Sequence, residues 1–433
     1  MGQIVFVTLF LGLAIGRVPV ELLVTGDVVK VELVLDRQVV ATIEGPPWKA
    51  PVDLGFSLAP HRLEARGYDA TGRLITSAEQ KVNAPASVRE LQLVMERRGA
   101  DAVARILWTN LDALKPDKVE ARIDNHPVIV KDDLTVPLPR LDAETVHLLE
   151  VTVRSDAGDA EAQLVFGGMF EDSASASLTA VPVRVTGRRV TRDGVVAKVN
   201  DAPVRVMALD DLPAEVIFVR EPLTMEFAHL AKKQIAYESL PGGRAPSSTP
   251  RIIGDPTLAT QDRVRFIWPV SRSGKSGANA SLFYPSRTFT TTSASGIGAL
   301  LGRVSLGRPA TELRFADAIA VAGWQAAQSQ RPRAVVLVLG SHLDDASRLK
   351  PEQARNYLER LGVPLYVWSV MRDTAPAVKV WGHVVDVRTG RKLRDAVEQL
   401  RRDLDTQRIL WVEGDYLATE VEVAHERVTA LVR

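Results

Sequence analysis

The 433-residue chain has no cysteine. That absence excludes disulfide frameworks, thiolate zinc sites and cysteine nucleophiles, and it fits reducing and oxidising compartments equally. An excess of one charge sign is also missing. Lys and Arg number 54 against 53 Asp and Glu, so there is no electrostatic footprint for nucleic acid or an anionic membrane. The seven histidines show no His-Glu-x-x-His spacing and no near pair, which gives no zinc signature. A strained Gly-x-Ser-x-Gly turn, the seat of a serine nucleophile, is absent as well. The apolar stretch from Ile4 to Ile15 is too short to span a bilayer. It has no Lys or Arg before it and no small-x-small site behind it, and it reads as a first β-strand or as a signal segment.

What is present is ordinary globular composition, 46% hydrophobic and 25% charged, in a chain long enough for about three domains. Residues 17–85 predict short strands divided by turn signals, among them Lys30–Leu35, the Asp36-Arg37 turn, Val39–Ile43 and His61–Tyr68. That spacing suggests an all-β sandwich. The pattern then recurs. Lys30, Val31, Glu32 and Asp36 match Lys118, Val119, Glu120 and Asp124 at a shift of 88 residues. His61, Leu63, Glu64 and Gly72 match His147, Leu149, Glu150 and Gly158 at a shift of 86. Two registers this close predict tandem Ig-like sandwiches over 1–86 and 87–168. A polar joint and a few strands follow over 169–212.

From 213 to 433 the pattern changes. The run Arg333–Leu339 is apolar throughout and stops at Gly340. A helical pattern precedes it, Leu313–Gln330, and another follows, Lys350–Leu361, ahead of the strand Val363–Ser369. Strands that are apolar on both faces, alternating with helices, predict a parallel sheet covered on both sides. Val216–Val219 and Arg263–Trp268 read as further strands, and Met225–Ala236 as a helix. Ser295–Gly298 reads as a helix start. Lys392–Leu404 predicts a closing helix, followed by strands Arg408–Val412 and Ala418–Val423. Ligands of such sheets sit beyond the carboxyl ends of the strands, so the residues after Leu339 carry the functional weight.

Taken together, these pieces resemble the bacterial von Willebrand factor A-related proteins, in which Ig-like domains precede a von Willebrand A-type domain. Leu178–Thr186 and Val199–Val206 resemble that family's pre-domain strands, and Val216–Val219 its first A-domain strand. Phe315–Ile319 resembles the helix after its metal-binding threonine. Leu393–Ala396 with Gln407–Trp411 resembles its last helix and strand. The resemblance implies a doubly wound, mostly parallel α/β domain. In active members it also implies a divalent cation held by Asp-x-Ser-x-Ser, a lone Thr and a distal Asp, a hard oxygen set suited to magnesium or manganese. The matching loop here is Arg220-Glu221-Pro222-Leu223-Thr224. Arg220 stands at the leading Asp position, Pro222 at the middle Ser, and Thr224 alone keeps a hydroxyl. Thr311 is the candidate lone threonine, and Gly340 occupies the distal Asp position. A guanidinium repels a cation and proline offers no side-chain oxygen, so the resemblance implies a dead metal site.

Other motifs are weaker. Gly274-Lys275-Ser276 lacks the glycine of a phosphate loop, since Pro269 stands in its place, and no helix follows. His342, Asp344 and Asp345 read as acid–base groups, or as a solvated loop in which Asp345 or Ser347 caps the helix near Lys350. The tryptophans fall at core-like positions. The loops 240–257 and 271–293 read as binding loops or as plain disorder. The expectation is a non-enzymatic interaction, scaffold or adhesion protein with no catalytic residue, metal or cofactor. It would hold a protein partner through Arg220, Glu221, Thr224, Thr311, Ser341, Asp344 and Asp345, with Arg220 touching an acidic partner residue. Nucleic acid, a small-molecule substrate and a transmembrane anchor are not expected. Export to the periplasm, cell surface or medium is expected, with the cytoplasm left open. The alternatives are cation-dependent adhesion through non-standard ligands, with magnesium or manganese, and a hydrolase using His342 with Asp344 or Asp345.

Overall fold

The computed structural model of the chain describes residues 3–8, 10, 13–84, 89–98, 101–110, 118–124, 126–139, 146–154, 160–167, 178–187, 190–221, 258, 262–271, 283–285, 293–303, 312–340 and 344–432. The first strands are β1 (Gln3–Phe6), β2 (Arg17–Thr25), β3 (Lys30–Leu35), β4 (Gln38–Ile43), β5 (Lys49–Asp53), β6 (His61–Tyr68) and β7 (Leu74–Val82). They form two sheets, β1-β2-β5 and β4-β3-β6-β7. Alternation decides which side chains enter: Val31 and Leu33 are buried, while Lys30 and Glu32 between them are partly exposed. Asp36 and Arg37 both take positive φ, 47° and 70°, as a two-residue hairpin turn demands.

The next strands are β8 (Arg89–Arg98), β9 (Asp101–Asn110), β10 (Lys118–Ile123), β11 (His126–Val128), β12 (Thr135–Pro137), β13 (Val146–Arg154) and β14 (Ala160–Gly167). Their sheets, β8-β9-β12 and β11-β10-β13-β14, repeat the first topology strand for strand. The likeness reaches individual bonds. The Nδ1–H of His61 donates to Asp36 at 2.6 Å, and the backbone N–H of Arg62 donates to the same carboxylate at 2.9 Å. In the repeat, His147 and the N–H of Leu148 do the same to Asp124 at 2.6 and 2.9 Å. Both are two-sheet, Ig-like β-sandwiches of one strand order.

Strands β15 (Leu178–Val185), β16 (Val196–Val199), β17 (Ala202–Val204) and β18 (Val206–Asp210) lead into the α/β layer. That layer comprises β19 (Glu215–Arg220), β20 (Arg263–Ser271), β21 (Phe283–Pro285), α1 (Ala294–Arg303), α2 (Phe315–Gln328), β22 (Arg333–Leu339), α3 (Pro351–Arg360), β23 (Leu365–Ser369), α4 (Ala375–Trp381), β24 (Val385–Asp386) and α5 (Gly390–Asp405). The sheet order is β21-β20-β19-β22-β23-β24. All neighbours run parallel except the edge strand β21, which is antiparallel to β20. Ile217, Val219, Val335 and Leu337 point to one face, under α2, α3 and α4. Val216, Phe218, Val336 and Val338 point to the other, under α1 and α5. Helices on both faces explain why β19 and β22 are buried along their whole length. Phe218 stacks on Phe266 with centroids 5.3 Å apart and meets the edge of Trp368 at 5.7 Å.

Several features differ from the sequence expectation. Strand β25 (Gln407–Glu413) does not extend the parallel sheet; it joins β18 and β15 in a separate sheet, β18-β25-β15-β27. Within 418–423 a 3-10 turn, Ala418–Glu420, precedes the short β26 (Glu422–Ala424), and β27 (Val428–Ala430) closes the chain's sheets. β26 completes the sheet β17-β16-β26, so strands from before and after the α/β layer fold together and the layer is inserted between them. The Ser- and Gly-rich stretch 271–293 also holds β21, and α4 and β24 lie where no element was expected. An apolar run reports burial and not which strand it will pair with. The expected helix Met225–Ala236 lies outside the described residues.

The chain forms two compact units, one of Met1–Ala84, Ala180–Trp411 and Leu417–Arg433, the other of Pro85–Thr179 and Val412–Tyr416. In the first unit the N-terminal sandwich packs on the α/β layer. Leu58 belongs to the core under α2 and α3. The Tyr357 hydroxyl donates to the Asn83 carbonyl at 2.7 Å, and Trp324 Nε1 donates to the Ala84 carbonyl at 3.1 Å. These contacts fix the sandwich to the α/β layer. Among the described residues no helix is long and apolar enough to cross a membrane.

Candidate functional site

The chain passes from β19 to β20 on one side, then to β22 on the other. The strand order reverses between β19 and β22, and such a switch point opens a crevice at the carboxyl ends of the strands. Arg220 ends β19, opposite Val338, and Glu221 follows it; Gly340 follows the end of β22. Both charged residues are buried, Arg220 at 0% and Glu221 at 1% exposure. Burial pulls the Arg220 guanidinium down to about 10, against the pull of the Glu221 carboxylate, so it stays charged at neutral pH.

This burial corrects one expectation. Arg220 cannot serve as a surface contact for an acidic partner residue, because its guanidinium does not reach solvent. It is an internal cation at the switch point. The neighbouring Glu221 carboxylate favours the charged guanidinium and so opposes part of the desolvation cost.

Asp345 also does something other than expected. It does not cap the helix near Lys350. Its carboxylate accepts from the N–H groups of Phe315 at 2.9 Å and Ala316 at 3.1 Å, the first turn of α2, and from Ser347 N–H at 3.0 Å. Ser347 Oγ accepts from Asp317 N–H at 3.1 Å. Asp317 in return accepts from the N–H groups of Arg348 and Leu349, at 3.1 and 3.0 Å. The loop and the helix start thus satisfy each other's orphan donors. Helix α3 is started instead by Pro351 and by Gln353, whose side-chain oxygen accepts from Lys350 N–H at 2.8 Å. Asp344 is exposed. Thr224, Thr311, Ser341 and His342 lie outside the described residues, as does the loop 240–257. Of 271–293 only Ser271, Phe283–Pro285 and Ser293 are described. The structure therefore brings Arg220, Glu221 and Gly340 to the carboxyl ends of two adjacent strands and assigns Asp345 to a helix start.

Sequence reasoning missed two features. Arg333, fully buried at the opposite end of the sheet, donates to the Ala327 carbonyl at 3.1 Å and to the Leu361 carbonyl at 2.9 Å. These carbonyls belong to the C-terminal ends of α2 and α3, where a cation is favoured, and burial lowers the Arg333 pKa to about 10. A polar cleft of about 490 Å³ is lined by Arg37, Asn200, Asp201, Thr419, Glu420 and Glu422. Glu420 there is already paired with Arg62 at 3.3 Å and Arg37 at 3.7 Å. No local sequence signal marks either, since both depend on residues far apart in the chain. Among the described residues no group of three His, Asp or Glu side chains could hold a metal ion.

No family model and no curated protein matches the chain. Among solved structures it is similar to the fibronectin(III)-like modules of Clostridium thermocellum CbhA, at 12% identity, covering 38% of this chain and 94% of that one, with a TM-score of 0.16. It is similar to the central fibronectin-III array of RIM-binding protein at 14% identity, covering 46% and 78%, with a TM-score of 0.20. Proximal thread matrix protein 1 from the mussel byssus is 12% identical, covering 55% of this chain and 51% of its own, with a TM-score of 0.28.

Proposed function

We propose that the chain is a non-enzymatic protein-interaction protein, whose α/β layer is a von Willebrand A-type domain that engages a protein partner at the carboxyl ends of its sheet without a metal. The observation that carries this reading is the buried Arg220–Glu221 pair at the switch point. A buried guanidinium stands there, at the position where a divalent ion would need an oxygen ligand. The strand order and the antiparallel edge strand β21 support the domain type. Two of the carboxylates available to a cation-dependent alternative are otherwise engaged, Glu221 beside Arg220 and Asp345 on the backbone of α2. In this reading Arg220 shapes the crevice from within, and exposed groups around it, Asp344 among them, meet the partner. The tandem sandwiches favour an exported setting as part of the same proposal.

The test is a calorimetric titration of the full chain with magnesium and manganese, together with its melting temperature in each ion against a chelator. No heat and no shift are expected. A folded-state ligand at a hundredfold excess over its dissociation constant adds about 2.7 kcal/mol of stability. A rise of that order would overturn the metal-free reading and favour cation-dependent adhesion. A partner, once bound, should also stay bound in chelator.

A further inference from the structure

The last residue of β19 and its neighbour on β20 bring two buried donors together. Val219 lies opposite Ile267, so Arg220 and Trp268 stand side by side at the next position, on strands about 4.8 Å apart. They lie two residues past Phe218 and Phe266, whose rings stack, so alternation puts both side chains on the face under α1 and α5. That corner is rich in aromatic rings. The Phe266 ring lies 6.4 Å from the Trp268 ring, and Trp368 stands in the same row two strands from Arg220. The residue after Leu339 is Gly340, which adds no side chain past Val338. Trp268 is 4% exposed, and its indole N–H meets no acceptor among the described residues. Native proteins keep few buried N–H groups in that state, because nothing offsets the lost hydration. Arg220 is fully buried, and desolvation outweighs the pull of Glu221 on its charge.

We propose that Arg220 and Trp268 form a binding site for a small oxyanion, a carboxylate or a phosphate, which takes the indole N–H and lies against the guanidinium. Both groups only donate, one of them is cationic, and little water screens either, so an acceptor that carries negative charge is favoured there. A water would satisfy the indole but bring no charge to Arg220. Because both donors are enclosed, the anion belongs to the folded state, and binding it stabilises the fold. The site needs neither a partner protein nor a metal, so it stands or falls apart from the reading above.

The experiment follows the melting temperature of the full chain in sodium acetate and in sodium phosphate, each against sodium chloride at equal ionic strength. A rise that saturates with concentration is expected in at least one of the two, and which one tells a carboxylate ligand from a phosphate. Phosphate also stabilises proteins without saturating, by exclusion from their surface, so the variants carry the comparison. Trp268→Phe keeps a ring and removes the N–H. It should weaken the apparent affinity for the anion by about tenfold or more, as loss of a hydrogen bond to a charged group does. Arg220→Lys keeps the charge and loses the planar fork, and it should weaken the affinity as well. If one of these fails to fold, the other still decides. The control Trp411→Phe removes an indole that already donates to Asp210 at 2.8 Å, and it should leave the saturating rise unchanged. No saturating rise in either salt, an undiminished rise in Trp268→Phe or Arg220→Lys, or an equal loss in Trp411→Phe would each overturn the proposal.

Discussion

At the residue scale the structure gives single carboxylates specific work. Asp345 accepts three backbone hydrogen bonds across the start of α2, so Asp345→Ala should cost about 1–2 kcal/mol of stability in urea unfolding, as loss of a helix cap does. Asp344→Ala, at an exposed neighbour, should stay within about 0.5 kcal/mol. Equal losses would show that the loop's charge matters and its geometry does not. The residue type was legible in the sequence as a capping residue. The helix it serves was not, because the donors lie 30 and 29 residues earlier in the chain. The Asp36 and Asp124 clasps give a second test. Burial raises both carboxyls, but the hydrogen bonds from His61 and Arg62, and from His147 and Leu148, outweigh it and hold both below the usual range. Arg360 also favours the charged form at Asp36, as His126 does at Asp124. A depressed folded-state pKa adds stability that is present above the unfolded value of about 3.9 and is lost as pH falls through the folded value. Asp36→Asn/Asp124→Asn should therefore flatten the acid limb of the melting curve below about pH 4, with each site worth under about 1 kcal/mol because both carboxylates are nearly half exposed. An unchanged acid limb would remove the clasps from the account.

At the element scale the α/β layer was the most readable part of the sequence. Runs apolar on both faces have one stable use, between two layers of helices. The pairing of α2 with α3 depends on Gly323, where an added Cβ would overlap the Leu358 side chain. Gly323→Ala should cost about 1–3 kcal/mol through overpacking, although alanine is the better helix former. Adding Leu358→Val should recover part of that loss in a double-mutant cycle, and a stabilised single variant would show that the helices simply separate. Strand β25 shows where element reading stops. Its composition predicts a buried strand, and it is one, but composition does not choose between the parallel sheet and the sheet of β15 and β18.

At the scale of the molecule, the N-terminal sandwich and the α/β layer act as one body. Asn83 holds Ala14 through both its side-chain atoms, at 2.7 Å each, while its carbonyl takes the Tyr357 hydroxyl. Burial also raises the Tyr357 pKa, so that hydroxyl remains a donor at any ordinary pH. Tyr357→Phe leaves a buried carbonyl without this donor, at a cost of about 1–3 kcal/mol. Native-state hydrogen exchange should show protection falling in β6 and β7 as well as in α3. Loss confined to α3 would mean that the two parts are not coupled.

Sequence alone determined the absence of cysteine chemistry, the tandem sandwiches, and a two-sided α/β layer with strands ending near residues 219 and 339. Those follow from local periodicity and from a repeat, which need no knowledge of distant partners. Tertiary structure decided what the switch-point residues can do. Whether Arg220 faces solvent or the interior, which helix Asp345 caps, and whether a sandwich stands free or docks all depend on groups far away in the chain. Burial sets the electrostatics at each of these places, and burial is a property of the assembled fold.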